Sequence, residues 1–216
     1  MKAHFDIIQG TEAWHEMRYG KIGGSTSKGL FVHSDTLLDE MLSQHLEPFE
    51  LEDDGYVNSD MQRGIELEPL ACAQVSQYAG ISVINCGWIQ SEIPLLGISP
   101  DRISQDLTVA IEVKCPNKKR HTTTIRERQI PLDNLFQAVH YFTVNPLLKS
   151  LYWGSFRPES KKPLFVQHLT LESAVNLGTR AKPVVKTVAE WTGIAKEAAN
   201  SLQRVIDNEI KLITGI

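Results

Sequence analysis

Apolar residues recur along this chain at two different periods, and each change of period marks a new element. Leu37-Leu38 and Met41-Leu42 lie four apart, the spacing of one helix face, and predict a helix over about residues 35–45. Ser59 with Gln62 three residues on reads as a capping box that opens a longer helix to about residue 78, ended by Gly80 and kinked by Pro69. Leu132, Leu135, Phe136, Val139 and Phe142 repeat the helical signature over 131–144. Near the start, Thr11 is placed to cap a helix running to Arg18, with Trp14 and Met17 on one face and Gly20 as its stop.

Elsewhere the apolar runs shorten. Segments 81–84, 88–90, 95–99 and 109–114 predict an antiparallel run of short strands, residues 5–8 a further strand or extended lead, and 151–157 with 164–169 two more strands. Residues 171–213 are helical in character, with one break at Thr192-Gly193, and 46–57 form an acidic, proline-containing linker. The expected fold is α/β (α+β), a mixed central β-sheet flanked by helices on both sides. One domain over residues 1–216 is the simplest division, with a catalytic core over about 8–170 and a helical C-terminal segment over about 171–216.

A chain of 216 residues can bury one good core and is marginal for two. The 42% hydrophobic content and 22% charged content are ordinary for a globular protein. The sequence has no apolar run near membrane-spanning length and no basic-then-apolar leader, which points to a soluble cytoplasmic protein. Cys72, Cys86 and Cys115 match neither a disulfide framework nor a zinc signature and are expected to be reduced packing residues. A net charge of −4 does not announce a nucleic-acid binder. The stretch 114–128, however, carries Lys114, Lys118, Lys119, Arg120, Arg126 and Arg128 against Glu127 alone. That run is either a solvated face or a surface for phosphates.

It directly follows the stretch with the most chemistry. Glu112 and Lys114 sit two apart in the apolar run Val109-Ala110-Ile111-Glu112-Val113-Lys114, so on a strand they emerge on one face. Asp101 follows Ser99-Pro100 a hairpin's length earlier. Hard divalent ions take oxygen ligands, and Asp101 and Glu112 supply them, with the Val113 carbonyl as a further candidate. Two such ions roughly 4 Å apart can neutralise a phosphodiester, activate water and stabilise the leaving oxygen. Lys114 would orient that water, or accept its proton if desolvation lowers its pKa. An isolated Glu-x-Lys is more often a surface ion pair on an edge strand. Glu66 and Glu68, two apart on the long helix, cannot both face one site; Glu68 shares a small apolar side with Ala71 and Cys72 and is the better candidate. Gln137 and His140 share a face of the later helix, and either could reach a phosphate or an activated water. Residues 22–27, Ile-Gly-Gly-Ser-Thr-Ser, form a small-residue loop able to offer N–H groups to a phosphate.

Taken together, residues 13–20 (Ala-Trp-His-Glu-Met-Arg-Tyr-Gly), 64–68, Ser99-Pro100-Asp101, Glu112-Val113-Lys114-Cys115-Pro116 and the Gln137 helix resemble, in order, the phage lambda-type exonucleases. These are the YqaJ-like viral recombinases of the PD-(D/E)xK nuclease superfamily. The resemblance covers roughly residues 8–145 and implies a restriction-endonuclease-like core. It further implies a processive Mg²⁺-dependent 5′→3′ exonuclease on double-stranded DNA ends, with Mn²⁺ as a substitute ion and two ions at the site. The product would be a 3′ single strand for a single-strand annealing protein, and the assembly a homotrimer ring. In the same terms Asp101 and Glu112 look like metal ligands, Lys114 the water-positioning lysine, Glu68 the helix-borne acid and Gln137, ahead of His140, the active-site amide. Arg18 matches the 5′-phosphate arginine, Ser25 and Ser99 positions near that phosphate, and Met61 the apolar wedge at the terminal base pair. Lys118, Lys119 and Arg120 are the further DNA candidates. A superfamily endonuclease, of resolvase or restriction type, and a non-catalytic recombination scaffold are the competing readings.

Overall fold

The computed structural model describes residues 1–51 and 59–215; residues 52–57 of the acidic linker lie outside the described residues, and so does the expected capping box at the Ser59 side chain. The chain opens with strand β1 (Lys2–His4), three residues earlier than its apolar pattern suggested, then helix α1 (Glu12–Arg18). A short helix α2 (Lys28–Val32), which no periodicity announced, precedes α3 (Asp35–Leu46), capped by the Ser34 hydroxyl. The long helix α4 (Ser59–Ala79) runs through Pro69. Four short strands follow, β2 (Trp88–Gln90), β3 (Gly97–Ile98), β4 (Arg102–Ile103) and β5 (Val109–Lys114). After them come helices α5 (Lys118–Glu127) and α6 (Leu132–Val144), and strands β6 (Ser150–Phe156) and β7 (Leu164–Leu169).

The expected single central sheet is divided. β1, β2 and β3 form one antiparallel sheet, while β4-β5-β6-β7 form a mixed one in which only β5 and β6 run parallel. Of residues 81–84, only Ile84 joins a ladder, as an isolated bridge to Ile103. The chain leaves one sheet at Ile98 and enters the other at Arg102, so Ser99, Pro100 and Asp101 form the step between sheets. That step carries one of the two candidate carboxylates.

Alternation along β5 sorts its side chains between two helices. Ile111 and Val113 face α4, where they pack with Ala71, Cys72, Val75 and Phe156. Ala110 joins the larger core around Phe136, Val139 and Phe142 of α6, and Glu112 and Lys114 share its parity. The helix can come this close because β6 carries Gly154: a Cβ there would lie 2.7 Å from Val75 Cγ2 and 3.3 Å from Val113 Cγ1.

The C-terminal segment departs from its helical expectation. Residues 174–176 and 185–187 pair as strands β8 (Ala174–Asn176) and β9 (Val185–Thr187). One uninterrupted helix α7 (Val188–Thr214) follows, with Gly193 inside it. A lone interior glycine costs about 1 kcal/mol. Against it stand the Thr187–Glu190 capping box and a buried face of Val188, Trp191, Ala195, Ala199 and Ile206. The capping box alone contributes about as much as the glycine removes. No helix among the described residues is long and apolar enough to cross a membrane. The close seat of α4 makes Gly154→Ala a test of this packing: stability should fall by about 1–3 kcal/mol, seen as a lower denaturant midpoint at unchanged slope.

Candidate active site

Asp101 reaches the site through a backbone contact. Its Oδ2 accepts the Val113 N–H at 2.6 Å, which fixes the carboxyl beside β5 and leaves Oδ1 without a donor among the described residues. Glu112 is 1% exposed and shares its parity on β5 with Lys114. Its Oε1 lies 2.5 Å from Lys114 Nζ, and its Oε2 accepts the Tyr141 hydroxyl. A buried carboxylate is stable only when its lone pairs are met in this way. Burial pushes the Asp101 carboxyl well above the usual carboxylate range, and the nearby Glu112 adds to the rise. Burial lowers the Lys114 pKa, but the pull of Glu112 and Asp101 outweighs it and the net direction is upward.

Tyr141 was missed in the sequence, although it lies four residues after Gln137 and therefore on the same helix face. Burial and the adjacent Glu112 raise its pKa, so it is a neutral donor that holds the carboxylate's orientation. Glu68 is partly exposed on α4 and ion-pairs with Arg102 at 3.5 Å. Burial raises its pKa, with Arg102 opposing. Glu66 is exposed and bonds Gln62.

A second group of residues adjoins this corner from the N-terminus. The Trp14 indole N–H donates to Ser99 Oγ at 2.8 Å and to the Gly87 carbonyl at 3.1 Å, which ties α1 to the step before Asp101. Gln9 bonds the Pro100 carbonyl at 2.9 Å. The Arg18 guanidinium stacks 4.0 Å over the Trp14 ring, beside Gly23, with no acidic partner among the described residues. Burial lowers its pKa, and a half-buried guanidinium without a carboxylate is a site for an outside anion. Ser25 is exposed at the head of this loop. Gly24 is pressed against Ile98 and Gln137, where a Cβ would lie 2.9 Å from Gln137 Cγ. The Gln137 amide has no hydrogen bond among the described residues and is free to serve a ligand.

A family model described as the YqaJ-like viral recombinase domain matches residues 13–146. This chain belongs to that family. No curated protein matches the sequence. The YqaJ-like chain is similar in structure to LHK-Exo, an alkaline exonuclease from Laribacter hongkongensis, in a crystal structure of the protein and in another of its complex with dAMP. Each has a TM-score of 0.73 at 23% identity, covering 94% of this chain and 96% of that one. A phage-related exonuclease from Haemophilus somnus 129PT is similar with a TM-score of 0.58 at 14% identity, covering 89% of this chain and 96% of its own. These likenesses show that the YqaJ-like domain here has the alkaline exonuclease fold, with the mixed sheet expected of a PD-(D/E)xK core.

The geometry corrects one candidate. His140 is fully buried and cannot meet a phosphate; its Nε2 lies 2.9 Å from the Gly97 carbonyl and 3.2 Å from that of Ile22. Both partners are acceptors, so Nε2 carries the proton and the imidazole clamps the 22–27 loop to β3. Met61 is 51% exposed in the first turn of α4, and Lys118, Lys119 and Arg120 are exposed in the first turn of α5.

Burial drops the His140 pKa to about 4 from an ordinary 6.5. Because the folded value is the lower one, the stabilising neutral form is fully present above pH 6.5 and is lost as pH falls toward 4. His140→Gln keeps one N–H for the clamp without titrating. The unfolding free energy lost between pH 7.5 and 5 should therefore shrink by on the order of 2 kcal/mol in the variant.

Proposed function

We propose that this chain is a divalent-metal-dependent 5′→3′ exonuclease that degrades the 5′-phosphorylated strand of duplex DNA ends. The observation that carries the reading is the junction of two features through one tryptophan. Trp14 holds Arg18, which has no acidic partner among the described residues, under its ring face and, by its N–H, holds Ser99 two residues before Asp101. An anion site for a terminal phosphate is thereby fixed relative to a carboxylate–carboxylate–lysine corner. An endonuclease has no use for that coupling.

The corner suits a hard cation. Its donors are carboxylate oxygens, and Asp101 Oδ1 faces no protein donor among the described residues. Asp101, Glu112 and the Val113 carbonyl would hold Mg²⁺, or Mn²⁺ in its place. No group of three or more His, Cys, Asp or Glu side chains there could hold a metal among the described residues. Mg²⁺ takes one or two carboxylates and leaves other positions to water and phosphate. Once bound, one or two such ions would neutralise the scissile phosphate and activate water. The protein's own residues do the rest. Tyr141 keeps Glu112 turned toward the site, Lys114 orients the attacking water, and Gln137 offers its free amide. Glu68, neighbouring the corner from α4, is the helix-borne acid. Arg18 and the N–H groups near Ser25 receive the 5′-terminal phosphate, and Met61 stands exposed as the wedge against the terminal pair. By its family likeness the enzyme would act as a homotrimer ring in the cytoplasm of a bacterial or phage-infected cell. It would leave a 3′ strand for a single-strand annealing protein.

The reading is tested with linear duplexes carrying a 5′ phosphate on one strand only, in Mg²⁺ or in EDTA. Metal-dependent loss of the phosphorylated strand alone supports it, whereas internal cuts or equal attack on closed circles would establish an endonuclease. Glu112→Ala should lower the digestion rate at least ~100-fold with DNA binding retained; near-normal digestion would remove Glu112 from the site. Arg18→Ala should cut the preference for phosphorylated over hydroxyl ends about tenfold or more, the value of a charge-assisted pair. Equal loss on both kinds of end would remove Arg18 from the phosphate role.

A further inference from the structure

The turn between β6 and β7 carries Lys161 and Lys162, both exposed and neither paired with an acid among the described residues. We propose that this turn and the first turn of α5 form one phosphate-binding ridge that tracks the DNA backbone next to the scissile position. The proposal rests on the DNA-nuclease reading.

Three contacts join the two segments. His121 of α5 is 1% exposed, with Nε2 lying 2.9 Å from the Lys162 carbonyl and Nδ1 2.8 Å from Ser155 Oγ. A carbonyl only accepts, so Nε2 carries the proton and Nδ1 accepts from the Ser155 hydroxyl. Ser155 is the β6 residue paired with Lys114, so the lysine turn is fixed to the catalytic corner through one buried ring. Arg157 Nη1 donates to the Pro116 carbonyl at 3.3 Å, just before α5. Glu159 is held by both Arg63 nitrogens at 2.8 and 2.9 Å, and Arg157 Nε lies 3.7 Å away. The turn's acid is thus spent on two arginines and leaves the lysines unneutralised.

The charges of α5 point the same way. Lys118, Lys119 and Arg120 occupy its first turn with no acidic residue among them. Cations there oppose the helix macrodipole, which favours anions at that end. In a chain of net charge −4, five exposed cations beside the corner form a surface that suits a polyanion and works against the helix that bears part of it.

Binding of the full-length protein to a fluorescent 5′-phosphorylated duplex in EDTA, measured by anisotropy over a salt series, tests this. For Lys161→Glu/Lys162→Glu we expect affinity about tenfold or more weaker. The slope of log K against log salt should fall by about 1–2, one phosphate contact being worth roughly 0.9. Unchanged affinity and slope, or weaker binding at unchanged slope, would overturn the ridge while leaving the exonuclease reading in place. Wild-type protein that binds no DNA would sink both. Lys118→Glu/Lys119→Glu should also reduce the slope, yet raise the melting temperature by about 1–4 °C by relieving the dipole. A lower melting temperature with an unchanged slope would show that these lysines serve the fold, against the proposal.

Discussion

Two carboxylates confined with one ammonium are the constraint around which this structure is arranged. Burial penalises the Asp101 carboxylate, and the nearby Glu112 adds to the penalty. The protein tolerates them because each is held by a donor at short range: the Val113 N–H on Asp101, and Lys114 with the Tyr141 hydroxyl on Glu112. The tie to Val113 is possible only because the chain steps between two sheets at Ser99–Asp101, which aims a side chain from that step at the neighbouring strand.

Around that corner each layer has an identifiable task. α4 seats against β5 and β6 through small residues and Gly154, and this brings Glu68 toward the carboxylates. α6 closes the opposite face with Phe136, Val139 and Phe142, and turns three polar side chains in three directions. Tyr141 supports a carboxylate, His140 clamps a loop to a strand, and Gln137, beside Gly24, has no hydrogen bond among the described residues. Trp14 ties the N-terminal helix to the same unit, its indole N–H reaching Ser99 Oγ and the Gly87 carbonyl.

The separation of Gln137 from His140 shows where sequence reasoning stopped. Their spacing places them on one face, but the width of that face in contact with the core depends on what packs there. The backbone carbonyls of Ile22 and Gly97 converge on His140, and that convergence is a property of the fold. The β8–β9 hairpin was hidden for a different reason. Its strands are three residues long and mostly uncovered, with Val175 alone buried, so no alternation distinguishes them from a helix. Their support comes from α7, where Trp191 donates to the Val175 carbonyl at 3.1 Å. The supposed break at Thr192-Gly193 vanishes because the apolar face of α7 continues past it.

Local pattern determined the helices α3, α4 and α6, the strand β5, and the shared face of Glu112 and Lys114. These follow from side-chain periods of 3.6 and 2, which the covalent chain itself imposes. The same spacing rules separated Glu68 from Glu66. The tertiary structure alone decided the split of the sheets, the approach of Asp101 to Val113, and the roles of Tyr141 and His140. It also decided the joining of the β6–β7 turn to α5 through His121. Each of these depends on contacts between groups from 12 to 118 residues apart, set by where donors and acceptors come to rest after packing, which no short window of sequence contains.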